Sequence, residues 1–430
     1  MGEYKNSNID WIGNIPSEWD IQPLGIYFDE RREKVSDTDF EPLSVTKGGV
    51  VKQLDNIAKS DAHDDRKKVC KNDFVINSRS DRKQSCGLSN YDGSVSLINT
   101  VLIPNTNKLL PNYVKYLFDN CMFAEEFYRN GHGIVADLWT TNFSDMKRIA
   151  IPIPSISEQI KIANTLDIRI PKINRILENL NKQVNILNIY KKSIINNETD
   201  GTAHKEDKIY INSTYYKSIP KLWSWSKIKY NTEIFGRIGY RGYTEEDLTF
   251  EGEGAITLSP SNIVNGKMNY DNCTYLTWNK YYESPEIMIN NNDILFVKTG
   301  STYGKVGFVE NLPMEATINP QFVVFKKINN NKLLNKYFYY YLQSNTCQKQ
   351  IENIVGGSTI PTISQEKILN MEIIIPPISE QEKIIDYLDF KCKEIDSMIK
   401  NKNEQIKKLE TYKKALIYEY VTGKKRVKGE

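Results

Sequence analysis

The chain has 430 residues, with 57 Lys and Arg against 54 Asp and Glu, a net charge of +3 and 40% hydrophobic residues. That length accommodates two or three separately cored domains, and the near-neutral balance excludes a uniformly basic nucleic-acid binder, so any such surface is local. Six cysteines, at 70, 86, 121, 273, 347 and 392, show no C-x-x-C spacing, which argues against zinc and against a disulfide framework, and no apolar run is long enough for a membrane span, so a soluble cytoplasmic protein is expected.

Residues 1 to 148 carry short β-branched and aromatic runs, "DFVINS" and "VSLINTVLI", separated by Gly, Asn and Asp turns, and close on the helical stretch "LLPNYVKYLFDN". They read as a mixed α/β (α+β) domain around a twisted sheet. From 149 to 200 the pattern changes to a heptad stripe of Leu166, Ile170, Ile173, Leu177, Leu180, Val184, Leu187 and Ile194. Ser157 before Glu-Gln is the expected N-cap and Gly201 the expected stop. About 40 residues at 1.5 Å each make a helix of roughly 60 Å, and Pro171 inside it is expected to kink it or break it in two.

A linker over 201 to 213 leads to a second mixed domain, 214 to 370, with "DILFVKT", "QFVVFKKI" and the helical "LLNKYFYYYLQS". Residues 371 to 423 repeat the heptad stripe at Leu388, Cys392, Ile395, Ile399, Ile406, Leu409 and Leu416, from a cap at Ser379 to a stop at Gly423, and 424 to 430 form a basic tail.

The second half rewrites the first. With an offset of 222, "PSISEQIKIANTLD" (154 to 167) falls on "PPISEQEKIIDYLD" (376 to 389), and the match runs without gaps to Gly201 on Gly423. An offset of 220 pairs "NDFVINSR" with "NDILFVKT" and sets Asn99 on Asn319, while "IPSEWDI" on "IPKLWSW" places Trp19 on Trp223. A period of roughly 200 residues is domain-sized, far beyond solenoid repeats of about 20 to 50. Two matched stripes most simply bury each other, which predicts that the two helices pair along Leu166, Ile173, Leu180, Leu187, Leu388, Ile395, Ile406 and Leu409. The loops diverge, "SRSDRKQSCG" in the first domain lying opposite "KTGSTYGKVG" in the second. One scaffold with unlike loops suggests two related tasks on two targets.

The opening "DWIGNIPSEWDI", the twice-written "IPIPSISEQIKIANTLD" and "IIIPPISEQEKIIDYLD", and the ending "YKKALIYEYVTGK" together resemble the specificity subunit of type I restriction-modification enzymes over the whole chain. The resemblance implies two target recognition domains that each read half of a bipartite site in double-stranded DNA. It also implies that the two helices form an antiparallel coiled coil with a pseudo-two-fold axis, which spaces the domains and docks two modification (methyltransferase) subunits carrying S-adenosylmethionine, and that separate restriction subunits use ATP and Mg. This chain would itself be non-catalytic and hold no cofactor. Half-sites read from one face favour a separation near one helical turn, roughly 34 Å. On that reading the phosphate-holding and base-reading candidates are Lys67, Lys68, Lys71, Arg79, Arg82, Lys83 and Gln84 in the first domain, and Arg237, Arg241, Lys298, Tyr303 and Lys305 in the second.

Two alternatives come from other classes: a self-sufficient DNA adenine methyltransferase, and a coiled-coil adaptor with no nucleic-acid role. "FEGEG" (250 to 254) matches an F-x-G-x-G cofactor loop and "NPQF" (319 to 322) nearly matches the catalytic N-P-P-[YF]. The loop, however, lacks a buried apolar strand before it, Gln321 replaces the second proline, and the first copy has "NTVL". "GSTYGKV" (300 to 306) is one residue short of a phosphate loop and has Val306 where a metal-ligating hydroxyl belongs. His63, His132 and His204 show no metal or triad spacing, and Asp73 and Asp293 read as turn chemistry before strands.

Overall fold

The computed structural model describes residues 3–53, 64–79, 82–134, 139–204, 207–264, 266–355 and 362–427. The chain divides into two compact units, Met1–Lys182 with Lys402–Glu430, and Gln183–Asn401, so each long helix gives one end to each unit.

The first unit is built on an antiparallel sheet in the order Cys86–Leu88, Phe74–Asn77, Asn99–Pro104, Phe28–Glu30. Its central strands are apolar without alternation because both faces are covered. Phe74, Ile76 and Leu102 face the helices Pro111–Phe118 and Cys121–Arg129, where Phe118 lies 4.6 Å from Phe74 and 4.5 Å from Phe123 between ring centres. Val75 and Val101 face Leu43, Val50, Val69 and Val95 of the neighbouring strands.

The second unit repeats this plan with more strands. Its main sheet runs Glu233–Phe235, Phe322–Lys326, Ile294–Val297, Val306–Phe308, Lys267–Met268, Ile263–Val264, and a second sheet runs Leu248–Thr249, Thr274–Thr277, Gly254–Leu258, Ala316–Ile318. In each unit the central strand follows an asparagine at φ +73°, Asn72 or Asn292. The aspartate after it closes the turn: Asp73 accepts from the Cys70 amide at 2.8 Å and Asp293 from the Asn290 amide at 2.8 Å. Asp73 also pairs with Arg31 and Asp293 with Lys326, so both are turn residues, as their sequence context suggests.

The sheet register corrects one pairing of the repeats. Asn99 lies opposite Asn77, whereas Phe322 lies opposite Val297, the residue that matches Asn77. The structural partner of Asn99 is therefore Phe322, and Asn319 belongs to the turn before it. Identity of residue type misled the alignment by three positions across a loop of unequal length.

The long helices span Ile156–Thr199 and Ile378–Val421, 44 residues each. They begin within two residues of the caps expected at Ser157 and Ser379, but the segments from 149 and 371 are not helical throughout: "AIPI" (Ala150–Ile153) and "EIII" (Glu372–Ile375) are strands paired with Asp20–Pro23 and Ser224–Lys227. The stretch expected to be a linker likewise contains a strand, Lys208–Tyr210, paired with Ser218–Pro220. The caps shift too. Ser155, not Ser157, accepts the Glu158 amide (3.3 Å), and in the second copy the place of Ser155 is taken by Pro377, whose carbonyl accepts the Gln381 amide at 2.9 Å. Pro171 does not break the first helix: it is exposed, and the carbonyl it leaves unpaired belongs to exposed Asp167, within reach of water.

Within each unit the two helices run antiparallel. In the first, Leu166, Ile170 and Ile173 share a core with Leu416, Ile417, Tyr420 and Val421. In the second, Ile194 and Ile195, with half-buried Leu187, share a core with Leu388, Cys392, Ile395 and Ile399, and Lys191 pairs with Asp396 at 2.7 Å. Leu180 is buried, while Ile406 and Leu409 are half-buried, so the heptad positions all face inward. Each helix ends in a glycine at φ +74°, Gly201 or Gly423. A Cβ on Gly201 would sit 2.7 Å from Pro220 and one on Gly423 would sit 2.4 Å from Pro16, so backbone approach and φ both demand glycine.

Candidate nucleic-acid interface

At one edge of the first unit two loops meet. The loop after strand Phe74–Asn77 bridges at Arg79 to Thr140, in the loop that follows the second short helix, and the Thr141 amide donates to the Ser78 carbonyl at 3.0 Å. Tyr128 adds its hydroxyl to the Arg79 carbonyl at 3.2 Å, and His132 bridges Thr140 while lying 3.2 Å from Asp145. Arg79, Arg82 and Lys83 are exposed on this lip, whereas Lys71 is exposed in the turn before the strand, at its other end. Ser80 and Asp81 of the same loop, and His63, lie outside the described residues. Lys83 hangs 5.2 Å above the Tyr128 ring and 3.3 Å from Glu125, a pair more than half exposed and so weakly held. Gln84 is half-buried at φ +61°.

The second unit joins the corresponding loops. Thr299 bridges Thr362, and the Ile363 amide donates to the Lys298 carbonyl at 2.8 Å. Lys298 is half-buried, and burial holds its amine below the usual lysine range.

Several candidates are committed to the fold. Lys67 donates to the Asn99 carbonyl at 2.9 Å and pairs with Glu30, and Lys68 pairs with Glu33 at 2.9 Å. Arg237 is buried, its guanidinium bonded to the carbonyls of Ile318 (3.1 Å) and Arg241 (3.3 Å) and to the Thr317 hydroxyl (3.1 Å). Burial pushes its pKa down without removing its charge, and these bonds compensate the desolvation. Arg241 reaches Glu286 at 3.4 Å. Lys305 donates to the Ile263 carbonyl at 2.5 Å, and Tyr303 packs half-buried on the core. Lys67 and Lys68 lie on the strand Arg66–Val69, whereas Arg237, Arg241, Tyr303 and Lys305 lie in turns and connections that fold back on the unit, which their residue type does not disclose.

The enzyme-like motifs dissolve in the same way. "FEGEG" is a turn between strands Leu248–Thr249 and Gly254–Leu258, so no strand feeds a helix across it as a cofactor loop requires. "GSTYGKV" is the connection between antiparallel strands Ile294–Val297 and Val306–Phe308, with its lysine turned into the fold. Among the described residues no group of His, Cys, Asp and Glu could hold a metal ion, and no helix is long and apolar enough to cross a membrane.

The family model for the type I restriction modification DNA specificity domain matches residues 276–408. A protein of Methanocaldococcus jannaschii named by inference as the type I restriction enzyme MjaX specificity subunit is 26% identical over 99% of this chain and 98% of its own length. The EcoR124I/EcoR124II specificity subunit of Escherichia coli is 23% identical over 70% of this chain and 67% of its own. Along its whole length the chain is similar to specificity subunits of type I restriction-modification enzymes. A chain in the solved structure described as "Structural basis underlying complex assembly and conformational transition of the type I R-M system" shares the fold at TM-score 0.68 and 15% identity, over 95% of this chain and 98% of that one.

The duplicated "SEQ" has a mechanical meaning that the sequence did not reveal. Gln159 and Gln381, both 0% exposed, pin the start of each long helix to the unit in which it begins. Gln159 Oε1 accepts the Leu110 amide (2.8 Å) and Nε2 donates to the carbonyls of Lys108 (3.0 Å) and Pro154 (2.9 Å). Gln381 repeats this with Leu334 (2.8 Å), Lys332 (2.7 Å) and Pro376 (2.8 Å). The other helix end is tied by tyrosines. Tyr113 lies 3.1 Å from the Val421 carbonyl, and Tyr337 lies 3.5 Å from that of Thr199. Three residues past each terminal glycine a basic side chain lies against the start of the other helix, Arg426 on Glu158 (2.6 Å) and His204 by Glu380 (2.9 Å). The near-identical spacing of these residues in both copies was the available signal, but the partners that tie the joints lie from 47 to 308 residues away in sequence.

Proposed function

We propose that this chain reads a bipartite, asymmetric site in double-stranded DNA, one half per recognition domain, on behalf of a type I restriction-modification enzyme. The observation that carries this is the repeated lip. Two units with the same pins and central strand present unlike loops at the same edge, joined by Arg79–Thr140 in one and Thr299–Thr362 in the other. Lys and Arg on such loops supply phosphate affinity, and side-chain amides and guanidinium groups discriminate bases. The subunit is non-catalytic. Its partners are DNA, two modification subunits that bring S-adenosylmethionine, and restriction subunits that bring ATP and Mg, in the cytoplasm. Nothing in the site favours methyl transfer by the chain alone, since its glycine turn and Asn-Pro-Gln-Phe turn lack the strand–helix context of a methyltransferase.

The test is methylated-adenine mapping in cells that carry this chain and its modification subunits, together with a methyl-transfer assay on the purified chain. The expected result is a two-part motif with unlike halves, and no transfer by the chain alone. A continuous or palindromic motif, or transfer by the isolated chain, would overturn the proposal.

A further inference from the structure

The register correction exposes a position where one scaffold carries two chemistries. In the first unit the Ser78 amide donates to the Ile98 carbonyl at 3.1 Å, just beyond the Asn77–Asn99 pair. In the second, the Lys298 amide donates to the Gln321 carbonyl at 2.8 Å, just beyond Val297–Phe322. The backbone geometry is the same, but a hydroxyl beside an apolar side chain becomes a cation beside an amide. Ser78 is buried with its hydroxyl on Thr100 at 2.8 Å, and Ile98 is 37% exposed. Lys298 has no carboxylate partner among the described residues, so its half-buried charge lacks a counterion. Gln321 is exposed, and its amide is oriented rather than free. Asn319 Nδ2 donates to its Oε1 at 3.1 Å and Asn319 Oδ1 accepts its backbone amide at 3.0 Å. Gly300, at φ +98°, leaves open the space beside Gln321 Nε2, which a Cβ would approach to 3.2 Å.

An amide held by one lone pair keeps its second lone pair and its N–H donors for a ligand, the pattern that accepts from N6 and donates to N7 of adenine. A desolvated cation next to it matches an electron-rich edge, O6 and N7 of guanine. We propose that Gln321 and Lys298 read adjoining base edges in the half-site of the second recognition domain, Gln321 on an adenine. This deepens the DNA-reading function proposed above and rests on it. It also gives the near-match "NPQF" a role: the turn orients a reading side chain, and Gln321 stands where a catalytic motif would have proline.

The experiment maps methylated adenines genome-wide for the intact complex carrying wild-type chain, Gln321→Ala, Gln321→Ile or Lys298→Met, with unfolding curves for each. The expected result is about tenfold or greater loss of discrimination at one base pair of one half-site for each Gln321 variant, and at a neighbouring pair for Lys298→Met, with the other half-site unchanged. Gln321→Ile, which installs the residue of the first unit, preserves the exposed surface position if Gln321→Ala proves unstable. An unchanged motif, or a uniform fall in methylation at every site, would overturn the inference. A wild-type complex that yields no bipartite motif would instead overturn the proposed function.

Discussion

Gln159 and Gln381 each satisfy three backbone groups with one buried amide. Replacing Gln381 by Leu strands the Leu334 amide and two carbonyls, each worth about 1 to 3 kcal/mol when left unsatisfied. Gln381→Leu should therefore destabilise the second unit by about 3 kcal/mol or more in denaturant unfolding, and Gln159→Leu should do the same to the first. An effect under about 1 kcal/mol in either would contradict the pin. Among charged residues the lip makes the opposite prediction. Arg79→Ala, Arg82→Ala and Lys83→Ala together should leave stability within about 0.5 kcal/mol and flatten the salt dependence of DNA binding by about 0.9 in log–log slope for each phosphate no longer neutralised. At this scale the sequence was least legible. It offered Arg79 and Lys83, which the structure exposes, together with Lys67, Arg237 and Lys305, which bond back to the fold, because a residue type reveals charge and not the direction in which the backbone aims it.

The helices were the most legible elements. Steps of three and four from Leu166 to Ile194 and from Leu388 to Leu416 found the buried seam, since a seam between helices of one chain leaves its period directly in the sequence. The strands before them were missed: "AIPI" and "EIII" adjoin the helical stretches, and nothing local says that they pair with residues about 130 to 150 positions upstream. Pro171 was read too severely, because the cost of an interior proline depends on whether the orphaned carbonyl meets water. Some cost remains. Pro171→Lys, the residue of the second copy, should restore an i to i−4 hydrogen bond and raise stability by about 1 to 3 kcal/mol in thermal unfolding. A neutral or destabilising effect would show that the ring is packed for a purpose.

Taken whole, the molecule closes each unit with the end of a helix that the other half of the sequence begins. Gly423 meets Pro16 as Gly201 meets Pro220, so the two helix ends are interchangeable parts. A half-chain ending near Gly201 keeps one recognition domain and one complete helix, and it exposes Leu166, Ile173, Leu180 and Leu187, each worth about 1.5 to 3 kcal/mol when buried. It should form an antiparallel homodimer, its Gly201 end docked on Pro16 and Trp19 of the second copy. Sedimentation at micromolar concentration should show that dimer, and a monomer would contradict the pairing.

The central claim is that each domain reads its own half-site. The most direct measurement exchanges residues 1 to 148 for the first domain of another family member and maps methylated adenines with the same modification subunits. One half of the motif should change while the other half and the spacing persist; a change in both halves, or in neither, would contradict the account.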